Sequence, residues 1–442
     1  MPIWSPDNET LSRPELEQIQ LERLQASVNR AYKNVAFYRK RFGELNIAPE
    51  DVQSLADLRK LPFTAKDDLR ENYPYDMLAV PLREVVRIHA SSGTTGKPTV
   101  CGYTADDLRT WSELVARILS AGGVTKDDLV QISFAYGLFA GGFGLHYGAE
   151  RIGASVIPAS SGDTQRQVQI MQDFRTTALV GTPTYALQIA EAMDDMGVNP
   201  KGLALRVGLF GGEPLSERMR QEIESRLSIS ATDNYGLSEV IGPGVSGECD
   251  RKNGLHISED HFIAEIVDPE SGEPRGPGEA GELVLTTLTR EAMPIVRFRT
   301  RDITSLTFEP CACGRTTARM SRVMHRTDDM LIIRGVNVYP SQIEEVLLQV
   351  EGVEPHYLVV VERKSGVDTV QVQVEVPGAL LTGDVSHLLR TQELLRQRLE
   401  AALGLTVEVK LVEPRTIARS EQRAQRVIDR RNREGTDSPQ SE

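Results

Sequence analysis

The sequence predicts an α/β protein: a large N-terminal region on mostly parallel sheets, a β-rich segment after it, and a small α+β module at the carboxyl end. Three observations carry this. From about residue 85 short apolar runs (VVRIHA, LVQISF, ASVIPA, TALVGTP, ALRVGLFGG) alternate with helical stretches, the pattern of β-α-β units. From 255 to 310 the runs HFIAEIVD, GELVLTTLT, PIVRFRTRD and ITSLTFEP are joined by turn clusters such as DPESGEPRGPGEAG, which reads as hairpins or a small barrel. The last hundred residues pair two β-rich runs, HYLVVVERK and TVQVQVEV, with a helix over 386–403 and a further run VEVKLVEP.

Residues 14–45 place apolar side chains at helical spacing between charged ones, and Pro14 suits a first helical turn, so the chain should begin with an amphipathic helix. Further helices are expected over 106–122, 164–175 and 216–227. Seven arginines lie between 415 and 433, and four of them (Arg419, Arg423, Arg426, Arg430) recur every three or four residues, as on a solvated helix face. The tail REGTDSPQSE has the composition of a disordered segment.

The chain has 442 residues, enough for two to three domains and a large core. With 50 basic against 63 acidic residues its net charge is −13, which disfavours nucleic acid and anionic membranes as partners. No run of 18 apolar residues occurs, and the start MPIWSPDNETLSR lacks the basic and apolar regions of a secretory signal, so a cytoplasmic location is expected. Four cysteines are too few for a disulfide scaffold.

Three of them form a pattern. Cys249 and His256 precede Cys311 and Cys313, and three thiolates with one imidazole satisfy tetrahedral zinc with no open position, so a structural Zn²⁺ site is expected. Cys101 is left over as a small buried hydrophobe. The segment HASSGTTGKPT follows an expected strand and packs Ser91, Ser92, Thr94 and Thr95 around Gly93 and Gly96. Such a turn can aim N–H groups and hydroxyls at one phosphate, with Lys97 adding charge. It is not a Walker A loop, because Ser91 stands where the first glycine is required and Pro98 follows Lys97. A G-x-G-x-x-G at Gly276, Gly278 and Gly281 opens no helix and reads as a turn alone.

The loop SSGTTGKPT, with Tyr235-Gly236-Leu237-Ser238-Glu239, Arg299-Thr300-Arg301-Asp302 and DDMLIIRGVNVYPSQIEE, resembles the adenylate-forming enzymes, and specifically the phenylacetate–coenzyme A ligases. LPFTAKDDLRENYP and HYGAERIGASVIP are similar to the same subfamily, so the resemblance covers nearly the whole chain. It implies an AMP-binding domain over 1–325, a mobile C-terminal domain over 326–434 turning about a hinge near Asp328 and Asp329, and a disordered tail over 435–442. It further implies that ATP and a carboxylic acid form an acyl-adenylate, whose acyl group passes to coenzyme A. Homodimerisation is implied more weakly.

By the same resemblance, Ser91 to Lys97 would hold the ATP phosphates. Gly211, Gly212, Glu213, Asn234, Tyr235 and Gly236 would line the junction of adenine and acyl group, with Tyr235 stacked on the base. Ser238 and Glu239 would sit at phosphate and Mg²⁺, a hard cation that prefers oxygen ligands, and Asp302, assisted by Arg326, would take the ribose hydroxyls. Tyr136, Phe139 and Gly141 match the aromatic and glycine-rich acyl segment, whose flat walls favour an aryl or arylacetic acid.

One departure is chemical. The family's C-terminal domain brings a lysine in a Ser-x-Gly-Lys context to the adenylation site, and here Gln422 and Arg423 stand for its Gly and Lys. Arginine keeps the charge but offers a wide planar fork where a compact ammonium is expected. Arg423 could do the lysine's work, a neighbouring residue could replace it, or the chain could have given up adenylation for acyl transfer from CoA to a carrier protein, or for binding of an acyl group or nucleotide without turnover.

Overall fold

The computed structural model describes residues 3–91, 98–350, 352–364, 367–382, 385–419 and 426–431. Two compact units emerge, one of Met1–Leu215 with Arg220–Val323, the other of Ser216–Met219 with Met324–Glu442.

In the first unit the amphipathic start is two helices, Arg13–Asn34 and Ala36–Glu44. Ser12 and Glu15 close a capping box at the entrance, and Val35, extended at φ −110°, breaks the run between the helices. Strands β1 (Arg87–Ala90) and β2 (Val100–Tyr103) pair with each other, antiparallel, in a small sheet of their own. The β-α-β pattern therefore begins one strand later than its apolar runs suggest. It comprises β3 (Leu129–Ile132), β4 (Ser155–Ile157), β5 (Ala178–Gly181), β6 (Val207–Gly211) and β7 (Ser230–Leu237), parallel in the order β4-β3-β5-β6-β7. The intervening helices carry their own start signals. Thr104 caps Ala105–Ala121, Asp163 caps Thr164–Phe174 and Thr182 caps Pro183–Asp195.

The same sheet continues antiparallel through β8 (Gly242–Glu248) and β9 (Leu255–Ile257). Strands β10 (Phe262–Val267), β11 (Gly281–Thr287) and β12 (Phe298–Thr304) form a separate antiparallel meander rather than a closed barrel. Strands β13 (Leu306–Thr307) and β14 (Arg319–Met320) return to the main sheet and extend it to nine strands, β13-β14-β9-β8-β7-β6-β5-β3-β4. The Gly276–Gly281 motif lies in the β10–β11 connection, with Gly278 at φ 81°, as a turn requires.

A buried charge network fastens the meander to the amino end. Asp260 receives Arg117 at 2.7 and 3.2 Å, lies 3.6 Å from Arg23, and neighbours His261 at 3.1 Å. Glu259 receives Arg13 at 2.8 and 3.0 Å. Burial alone would raise the Asp260 carboxyl, but His261 and Arg117 hold it below the ordinary range. A depressed folded-state pKa stabilises above the unfolded value near 3.9 and is lost as pH falls through the lower one. Asp260→Asn should therefore cost about 3–5 kcal/mol at neutral pH by stranding Arg117. In urea titrations the gap between variant and wild type should narrow below about pH 4; a constant gap from pH 7 to 3 would refute it.

In the second unit the sheet order is Glu408–Val412, Val367–Glu375, Tyr357–Lys364, Val427–Asp429, with helices Pro340–Leu348 and Val385–Leu403 packing on its apolar core. The arginine run is corrected here. Arg426 donates to the Pro355 carbonyl, Val427–Asp429 is a strand beside Tyr357–Lys364, and Arg430 and Arg431 reach Glu362 and Asp368, so these residues form no helix face. Among the described members of the run, Arg419 meets Glu375, Arg426 the Pro355 carbonyl and Arg430 Glu362, each its own carboxylate or carbonyl. Arg423 and the 435–442 tail lie outside the described residues. No helix among the described residues is long and apolar enough to cross a membrane.

Candidate functional site

Strands β6 and β7 end side by side, Gly211 paired with Asn234, just where the main sheet turns from parallel to antiparallel. Gly211 has no room for a side chain, because a Cβ would meet the Asn234 carbonyl, and Gly212 follows at φ 78°. Asn234 Nδ2 donates 2.8 Å to the Phe210 carbonyl, tying the two strand ends together. Glu213 Oε2 accepts from the Thr184 hydroxyl at 2.6 Å and backbone N–H at 3.3 Å, at the start of the Pro183–Asp195 helix.

Between Tyr235 and Gly236 the β7–β8 register slips, a bulge that re-aims the strand. The bulge brings Gly236 so close to β8 that a Cβ there would overlap the Gly242 carbonyl. Gly236→Ala should cost about 1–3 kcal/mol and weaken nucleotide binding together, since the clash is with backbone. Calorimetry with an ATP titration checks this, and an alanine variant of wild-type melting temperature refutes it.

The Tyr235 hydroxyl donates 2.6 Å to Asp302 Oδ2, and both are shielded from solvent, Asp302 nearly completely. Arg301, just before it in β12, has a left-handed φ of 68°, a costly conformation for a side-chain-bearing residue and one that marks sites where geometry matters. Ser238 and Glu239 are buried in the turn between β7 and β8. Glu239 Oε1 accepts from Thr99 Oγ1 at 3.2 Å and from Lys66 Nζ at 3.0 Å. Thr99 in turn shares a short hydroxyl contact with Ser91, so the ends of the Ser/Thr/Gly loop are joined to Glu239. Ser92, Gly93, Thr94, Thr95, Gly96 and Lys97 lie outside the described residues. Arg326 belongs to the second unit and forms a two-point pair with Asp328 at 3.0 and 3.1 Å.

Sequence reasoning passed over Lys66. The text around it was singled out only for likeness, yet it holds a signal: a lysine at the first position of a helix (Lys66–Glu71) opposes the helix dipole. Its partner Glu239 is 173 residues away, so only the fold shows what the charge is for.

The acyl segment forms an aromatic wall. Tyr136 meets Phe143 edge-on at 5.2 Å, Phe143 stacks on Tyr147 at 6.3 Å, and Arg87 lies over both rings at 5.4 and 4.6 Å. Phe139 is partly exposed and packs on Phe134 at 6.4 Å, and its ring fills the place a Cβ at Gly141 would need.

Away from this wall, Cys249, His256, Cys311 and Cys313 converge, with all four donor atoms within 4.8 Å of one another. Cys249 Sγ and Cys311 Sγ are 3.9 Å apart, and Cys313 Sγ is 3.4 Å from His256 Nε2. His256 Nδ1 meets Thr317 Oγ1 at 3.3 Å, leaving Nε2 directed at the thiols. Burial pushes the Cys249 thiol up to about 12 and the His256 imidazole down to about 3. Arg315 donates to Cys313 at 3.7 Å and to Glu9 at 2.5 Å. Cys101 is fully buried, its thiol pushed up to about 12 by burial, as a plain core residue would be.

Known proteins share this frame. A family described as AMP-binding enzyme matches residues 20–288, more than half of the chain, and one described as AMP-binding enzyme C-terminal domain matches 335–431. The phenylacetate-coenzyme A ligase of Escherichia coli strain K12 is 49% identical over 428 residues, covering 96% of this chain and 97% of that protein. That of Thermus thermophilus is 46% identical over 97% of this chain and 100% of its own length. Among solved structures, 2-hydroxyisobutyryl-CoA ligase in the postadenylation state superposes with a TM-score of 0.90 at 30% identity, over 96% of this chain and 91% of that one. The chain therefore belongs to the phenylacetate–coenzyme A ligase family of AMP-binding enzymes, acid–thiol ligases that use ATP to form an acyl-adenylate and then a thioester.

Proposed function

We propose that this chain joins an arylacetic acid of the phenylacetate type to coenzyme A in the cytoplasm. The observation that carries the reading is likeness to phenylacetate-coenzyme A ligases at 46–49% identity over essentially full length. In the first half-reaction an acid carboxylate oxygen bonds to the α-phosphorus of ATP while the bond to the β-phosphate oxygen breaks, releasing pyrophosphate. In the second, the CoA thiol gives up its proton, sulfur bonds to the acyl carbon, and AMP leaves.

An anionic carboxylate must approach an anionic triphosphate, so the first step needs fixed positive charge. Lys66, 3.0 Å from Glu239, is suited to supply it in place of the lysine that Arg423 replaces. The Ser91–Lys97 loop holds phosphates in this reading, while Tyr235 flanks the base with Asn234 and Gly211–Glu213. Asp302 takes the ribose, aided by Arg326. Tyr136, Phe139 and Gly141 wall the acid.

The oxygen-rich, buried pair Ser238 and Glu239 fits Mg²⁺. When bound, that ion neutralises polyphosphate charge. The three thiols and one imidazole fit a closed Zn²⁺ site that braces the strand-rich segment. The test is acid-dependent ATP–pyrophosphate exchange and CoA thioester formation over a panel of aryl and arylacetic acids. Phenylacetate-type acids should support both, and a panel in which none supports exchange would overturn the reading.

A further inference from the structure

One step beyond the last pair of the β1–β2 ladder, Ala90 with Val100, Ser91 and Thr99 meet across the neck of the Ser/Thr/Gly loop. The Ser91 backbone N–H donates to the Thr99 carbonyl at 3.0 Å, and the Thr99 backbone N–H donates to Ser91 Oγ at 3.3 Å. Their hydroxyls also touch. A hydroxyl has one hydrogen to give, and a third partner sets its direction. Glu239 Oε1, 3.2 Å from Thr99 Oγ1, belongs to a carboxylate paired with Lys66, which only accepts. Thr99 therefore spends its hydrogen on Glu239, and the hydrogen between the two hydroxyls comes from Ser91.

The same carboxylate oxygen takes a second donor. Lys66 Nζ lies 3.0 Å from Glu239 Oε1, so the ammonium and the Thr99 hydroxyl fill both lone pairs of that oxygen. A cation that approaches Glu239 is left with Oε2. The two donors differ in rigidity. Lys66 is over one-third exposed on a flexible four-carbon stem. Thr99 is fully buried, β-branched and held through its backbone by Ser91. Glu239 itself is 5% exposed, so solvent cannot stand in for the threonine hydroxyl.

We infer that Thr99 is a positioning residue for the cation: its hydroxyl pins Glu239 Oε1 and so presents Oε2 to Mg²⁺. The inference rests on the reading that Ser238 and Glu239 hold that ion, and it deepens it by naming the side chain that aims the ligand and the oxygen that binds. Carboxylates that hold a metal are oriented by hydrogen bonds from outside the ligand set, and losing such a bond weakens the metal first.

The experiment titrates the full chain calorimetrically with MgATP and, separately, with sodium ATP in buffer free of divalent cations. Thr99→Val keeps the shape and the backbone bonds and removes the hydroxyl. It should weaken MgATP binding by about threefold to tenfold, the span of one net hydrogen bond, while binding of sodium ATP changes by less than about twofold. The Mg²⁺ concentration for half-maximal ATP–pyrophosphate exchange should rise by the same factor. Thr99→Ala, which introduces no new bulk, should show the same split. Thr99→Ser, which restores the hydroxyl, should return both readings to wild type, a rescue that a purely steric role of Thr99 does not predict. Equal weakening with and without Mg²⁺ would make Thr99 a brace of the loop and overturn the inference, as would variants with the wild-type Mg²⁺ requirement. Glu239→Gln separates this failure from that of the underlying reading. If it raises the Mg²⁺ requirement while Thr99→Val and Thr99→Ala do not, the inference alone falls; if it leaves the requirement unchanged, the cation reading falls as well.

Discussion

Lys66→Ala should lower acid-dependent ATP–pyrophosphate exchange by about a hundredfold to a thousandfold, the usual cost of removing one preorganised charge from a developing transition state. The effect should appear in kcat and leave folding nearly untouched. Lys66 is over one-third exposed, and an exposed ion pair such as that with Glu239 contributes about 0–1 kcal/mol to stability. An intact melting temperature with collapsed exchange is thus the expected signature. Lys66→Arg should recover only part of the rate, because a planar fork does not reproduce a point contact. Glu239→Gln should also fall steeply, and the double variant should fall less than the sum of the two, since the residues share one contact. Exchange by Lys66→Ala at wild-type rate would remove Lys66 from the reaction and return the question to Arg423.

The second large effect concerns the thiol cluster. Purified protein should carry one zinc, and Cys311→Ser should lose it together with several kcal/mol of stability, read as a fall in melting temperature of about 5–15 °C. Chelation of wild type should reproduce the fall, and added zinc should restore wild type but not the variant. Because β8 runs directly into Cys249 while pairing with β7, loss of the ion should also raise KM for ATP. A protein free of metal as isolated, whose melting temperature ignores a chelator, would refute the claim.

Much of the architecture could be read from the chain because helices announce their starts. Thr104, Asp163 and Thr182 each sit one residue before the helix they cap, and the apolar runs of β5 and β6 are buried throughout. Strand partners are a different matter. VVRIHA looks like any parallel strand, yet Arg87–Ala90 pairs antiparallel with Val100–Tyr103, because period-two patterning states which face is buried and not which neighbour is chosen. The same ambiguity hid the return of β13 and β14, two residues each, to the main sheet. The convergence of Cys249, His256, Cys311 and Cys313 was legible because ligand type is itself the signal. Lys66 and Thr99 were not, because a lone lysine or threonine gains meaning only from what the fold sets beside it.

The charge pairs that tie the amino end to Glu259 and Asp260 have a consequence for the order of synthesis. Arg13 and Arg23 are made well before their carboxylate partners Glu259 and Asp260, which follow 246 and 237 positions later. At about 5–20 residues per second, a ribosome needs roughly 12–50 s to supply Glu259 after Arg13. Throughout that interval the opening helix has an apolar face to cover and charges without counterparts. Helix Arg13–Asn34 is therefore made early yet settles late, and amino-terminal fusions should depress yield of folded enzyme more than carboxyl-terminal ones.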